Sequence, residues 1–107
     1  MLSEKKIASI LQFLDCDRAF LNELISIYTK ELTEGLNRLA EKPIEQKTIQ
    51  YLTHKLSGTA SLLQLNTLTA NLKQTEALAH QENCTPSHLK QTIELLTSTL
   101  TALKKTI

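Results

Sequence analysis

With 107 residues, 41% of them apolar and 21% charged, the chain can bury one hydrophobic core and reads as a single domain over 1–107. Twelve basic against eleven acidic residues leave a net charge of +1. That balance excludes the basic footprint of a nucleic-acid binder or an anionic-membrane binder. No apolar run is long enough to span a bilayer and no signal-peptide core follows Met1, so a cytoplasmic domain without membrane insertion is expected.

Valine is absent and only two glycines and two prolines occur, a composition that favours helix over strand. Cys16 and Cys84 fit a reducing compartment better than a disulfide scaffold.

A short first helix is predicted after Ser3 as N-cap, with Ile7, Ile10, Leu11 and Leu14 at helical spacing. It ends near Asp15-Cys16-Asp17, where either aspartate can cap the next helix. The second helix runs from about Arg18 to Glu41, with Leu21, Leu24, Tyr28, Leu32, Gly35 and Leu39 on one stripe. Lys42-Pro43 is a break, and Pro43 suits the first turn of a third helix from about Ile44 to Leu63 or Leu65.

Ile49, Leu52, Leu56, Ala60 and Leu63 form the third helix's apolar seam. Asn66 is expected to cap a fourth helix that turns Leu68, Leu72, Thr75 and Ala79 inward. Thr85 caps a fifth with Pro86 at its first position and the stripe Leu89, Ile93, Leu96, Leu100, Leu103. The expected fold is all-α: an antiparallel up-down four-helix bundle with a short additional N-terminal helix. One apolar stripe per helix predicts a monomer.

The third helix carries the stretch THKLSGTASLL, from Thr53 to Leu63. His54 lies two residues from both Leu52 and Leu56, roughly 200° around the axis, and so faces away from the seam. Gln50, Tyr51, Ser57, Gly58 and Ser61 are its neighbours on that outer face. Beyond His54 the face is stripped of bulk, and a mid-helix glycine costs about 1 kcal/mol relative to alanine. Close approach of a large partner to the imidazole would explain that cost; relief of a tight helix crossing at Gly58 is the alternative.

From His54 to Glu76 the sequence resembles the histidine-containing phosphotransfer (HPt) domain of multistep phosphorelays. The family pattern is His-x-Leu-Lys-Gly-Ser, an apolar residue and glycine, then leucines leading to a Leu-Glu pair. His54, Leu56, Gly58, Leu63, Leu68, Leu72 and Glu76 match, and Thr59 stands in for the serine. Ser57 replaces the family lysine, Gln64 the later glycine and Thr75 the apolar residue before the acid. The nearest cation to His54 is Lys55.

The resemblance implies a phosphocarrier without kinase activity of its own, free-standing or part of a hybrid sensor histidine kinase. His54 would accept a phosphoryl group from the phosphoaspartate of a response-regulator receiver domain and pass it to another receiver. By the same resemblance Glu76 would orient the imidazole through Nδ1, leaving Nε2 to attack. Lys55 is the candidate charge partner for the phosphoryl group, in place of Ser57. Gln50, Tyr51, Lys55, Ser57, Gly58 and Ser61 form the expected docking face. No cofactor is expected on this chain, since the divalent magnesium of phosphoryl transfer would sit on the receiver.

The competing reading is a helical-bundle adaptor, a degenerate HPt-like domain that binds a protein partner without phosphorylation. His80, Cys84 and His88 are spaced by four, but Pro86 interrupts the helix and no fourth ligand follows, so no metal site is expected. His80 and His88 read instead as solvated residues at helix ends. No phosphate-binding loop or nucleotide fingerprint occurs.

Overall fold

A computed structural model describes residues 2–106. They form five helices: α1 (Glu4–Leu14), α2 (Arg18–Leu39), α3 (Gln46–Leu62), α4 (Asn66–His80) and α5 (Pro86–Lys104). No strand occurs among the described residues. No helix among them is long and apolar enough to cross a membrane.

Three helix starts rest on side-chain caps that satisfy orphan backbone amides. Ser3 accepts from Lys6 N at 3.1 Å, Asp17 from Phe20 N at 2.8 Å, and Thr85 from His88 N at 3.1 Å with Pro86 at the first helical position. The other two starts differ from the sequence expectation. Pro43 follows a cis peptide bond and lies outside α3, which begins at Gln46 after an uncapped Glu45. Asn66 is not a cap but the first residue of α4, with Leu65 at the cap position and no side-chain cap bond.

The reason lies in the turn before it. Gln64 adopts φ 53°, and Leu65 N donates back to Ala60 O at 2.9 Å, closing the end of α3. This closure turns the chain within three residues and leaves no room for a separate capping residue. Asp15 and Glu82, at φ 51° and 59°, close α1 and α4 in the same way. Neither glycine of the chain takes a positive φ.

α2 packs against α3 and α5, and α4 packs against the same two helices, with α3–α4 the most extensive pair. The α3 seam and the inward set of α4 are buried as a whole. On α2 the stripe shifts: Ile25 is buried, whereas Leu24 and Tyr28 are half-exposed. Ile93 on α5 is also half-exposed. Phe13, Phe20 and Ile27 stay largely exposed, so α1 and α2 carry apolar side chains outside their buried stripes.

α1 is fixed by Ile7 and Ile10 in the core and by polar bonds to the α3–α4 turn. There Lys6 Nζ donates to Gln64 O and Ser9 Oγ to Gln64 Oε1, each at 2.8 Å.

Gly35 marks the close approach of α2 and α3. A Cβ added there would lie 2.6 Å from Leu56 Cδ2, and Leu56 is buried. The tight crossing therefore belongs to Gly35. Around Gly58, by contrast, an added Cβ would meet nothing within 4 Å.

Candidate functional site

α3 and α4 are laced together by side chains on one edge of their contact. Gln46 Nε2 donates to Cys84 O and Gln46 Oε1 accepts from Cys84 N, both at 3.0 Å, which ties the start of α3 to the α4–α5 loop. One turn along α3, Gln50 Nε2 lies 3.0 Å from His80 Nδ1. One turn further, His54 Nδ1 lies 2.9 Å from Glu76 Oε2. Each four-residue advance on α3 meets a four-residue retreat on α4, so the pair is antiparallel and in register along this edge.

His54 is open to solvent, its side chain 77% exposed, while Glu76 is only 26% exposed. A carboxylate accepts hydrogen bonds and donates none, so this contact puts a proton on Nδ1, and in the neutral ring the lone pair is then on Nε2. Glu76 reaches the ring because it follows Leu68 and Leu72 along α4, both buried, and borders that apolar row. The pair is an exposed imidazole held through one ring nitrogen by a half-buried carboxylate.

Around it, Tyr51, Lys55, Gly58 and Ser61 are exposed and Gln50 is half-buried. Ser57 departs from its expected place on the open face: it is buried, and its Oγ donates to His54 O at 2.8 Å. Three residues advance a helix by about 300°, which swings position 57 back some 60° from His54 toward α4. Ser57 therefore offers nothing to a docking partner. Thr59 is also buried, and its Oγ1 donates to Glu31 Oε2 at 3.0 Å, linking α3 to α2.

Lys55 lies on the α2 side of His54, away from Glu76. There it lines a small cleft with Glu31, Glu34, Arg38 and Gly35.

His80 is a solvated residue at the end of α4, as expected, and meets Gln50 through Nδ1, whereas His88 departs from the expectation. His88 is half-buried, with Nε2 2.8 Å from Thr75 Oγ1, which in turn meets Thr92 Oγ1 at 2.8 Å between α4 and α5. The sequence signal for the Gln50–His80 contact was the shared spacing of four, Gln50 to His54 and Glu76 to His80. It becomes readable only once α3 and α4 are set in register.

No group of three or more metal-ligating side chains occurs among the described residues. Both cysteines are free, and burial pushes the Cys84 thiol up from its ordinary value, which makes it a poor nucleophile near neutrality. Compared with family models, curated proteins and solved structures, the chain matches none of them.

Proposed function

We propose that this domain is a phosphocarrier of a two-component phosphorelay, with His54 as the phosphoacceptor. The scaffold we infer is an antiparallel up-down four-helix bundle of α2 to α5 with α1 across one end. The closed ring of contacts among those four helices supports it. The observation that carries the functional reading is the exposed imidazole whose Nδ1 sits 2.9 Å from Glu76.

In the proposed step, the Nε2 lone pair of His54 attacks the phosphorus of a receiver's phosphoaspartate. The N–P bond forms, the Oδ–P bond breaks and the receiver regains its carboxylate. The ring keeps its Nδ1 proton and becomes cationic, and Glu76 offsets that charge. Delivery to a second receiver reverses each bond change. The divalent ion and lysine that neutralise phosphoryl oxygens belong to the receiver, so a small exposed face suffices here. Gly58, clear of any neighbour for an added Cβ, leaves room for that face to be approached. The partners are receiver domains, in the cytoplasm.

One observation favours the adaptor reading: Ser57 is turned inward onto the backbone of His54, so that position supplies no cation. Incubation with a phosphorylated receiver decides between the two. The relay reading expects an acid-labile, base-stable phosphate on the wild-type chain and none on His54→Gln. Binding to the receiver without transfer of label would establish the adaptor instead.

A further inference from the structure

His54–Glu76 and Gln50–His80 are successive rungs on the same edge of the α3–α4 pair, about 6 Å apart along the helices at ~1.5 Å per residue. Both imidazoles are exposed. Their ring nitrogens are held in opposite senses. Glu76 accepts, so His54 carries its proton on Nδ1 and presents a lone pair at Nε2. The amide nitrogen of Gln50 donates, so Nδ1 of His80 carries the lone pair and Nε2 carries the proton. One ring offers a nucleophile, and its neighbour one turn away offers a donor.

We propose that His80 is a second contact for the phosphoryl group carried on His54, donating from Nε2 to a phosphoryl oxygen and taking up a proton as it does so. The inference rests on His54 being the phosphoacceptor. Its motive is an imbalance at the site. A phosphoryl group brings between one and two negative charges near neutral pH, and a neighbouring imidazole is driven toward imidazolium by them. On α3 the position three residues after His54 is the buried Ser57, and the exposed Lys55 lies on the α2 side, lining a cleft with Glu31, Glu34 and Arg38.

The α4 side is different. His80 shares a groove with Lys47 of α3 and with Glu82 just past α4. Glu76, one turn back, is engaged with His54. On α5, the helix that packs on α4 from the other side, His88 is engaged with Thr75. When His80 takes a proton on Nδ1, the Gln50 carboxamide can rotate and present its oxygen, so the rung survives the change of charge.

The test uses phosphoramidate as a small donor, so that no partner supplies charge. His54 Nε2 takes its phosphoryl group and ammonia leaves. The His80 ring is then titrated by two-dimensional 15N–1H NMR in the loaded and unloaded protein. The expected result is a rise of about one pH unit in the His80 midpoint on loading, a tenfold gain in proton affinity. It should be absent in His54→Gln treated identically.

Phosphoryl uptake from a receiver should slow several-fold in His80→Ala and recover in His80→Arg, which restores a charged donor. A loaded protein with an unchanged His80 midpoint overturns this inference and leaves the phosphocarrier reading standing. Equal slowing in the Ala and Arg variants overturns it too, because a merely structural role would not distinguish them. Failure of His54 to load at all removes both.

Discussion

Gly58 is the residue whose cost the fold leaves uncompensated. A glycine in mid-helix loses about 1 kcal/mol against alanine, and no neighbour would touch a Cβ at this position. Gly58→Ala should therefore raise unfolding stability by about 1 kcal/mol in a denaturant titration. Gly58→Leu should leave the fold helical yet slow phosphoryl transfer from a receiver, because bulk beside the imidazole obstructs approach. Normal transfer rates in the leucine variant would remove this account of the glycine.

At this scale the exposure of His54 was legible, since angular distance from a leucine seam is a property of one helix. Ser57 was not legible in the same way. Its burial depends on where α4 lies against α3, and no count along α3 alone contains that.

At the scale of elements, the tight helix crossing offered as the alternative reading of Gly58 lies at Gly35 instead. Gly35 lets Leu56 seat against α2, with 2.6 Å to an added Cβ. Gly35→Ala gains about 1 kcal/mol of helix propensity against an overpacking cost of roughly 1–3 kcal/mol for moving a buried leucine, so it should end less stable than Gly58→Ala. If unfolding measurements show Gly35→Ala stabilised as much as Gly58→Ala, the close crossing is wrong.

The helix ends carry a complementary cost. Asp15, Gln64 and Glu82 sit in the left-handed region without being glycine, at roughly 1 kcal/mol each. Glu82→Gly should thus stabilise the fold by about 1 kcal/mol, read from the same denaturation curves. The starts of α1 and α5 were legible because Ser3 and the Thr85-Pro86 pair state their own geometry. The starts of α3 and α4 were not, since α3 opens after an uncapped Glu45 and the positive φ at Gln64 has no marker in residue type.

For the whole molecule, periodicity predicts which leucines are buried, and most of that set forms the core. What it could not supply was the register between helices, and with it the Gln50–His80 contact and the half-burial of His88.

The buried Cys84 gives the assembled core a pH dependence of known sign. Its thiol is held above the ordinary range by burial, so the folded state favours the protonated form. That contribution is complete below the ordinary thiol range and is lost as pH rises through the raised value. Thermal unfolding should therefore weaken in alkali, and Cys84→Ala should show a smaller alkaline loss than wild type. An identical alkaline loss in the two proteins would mean that Cys84 ionises as freely in the fold as outside it.

The central claim is that His54 carries a phosphoryl group on the nitrogen that Glu76 leaves free. Its most direct measurement loads 15N-labelled protein from a phosphorylated receiver and identifies the phosphorylated atom by 31P and long-range 15N–1H NMR. The account predicts a single phosphohistidine at Nε2 of His54, formed more slowly in Glu76→Ala. Phosphate on Nδ1 of His54, on another residue or on none would contradict it.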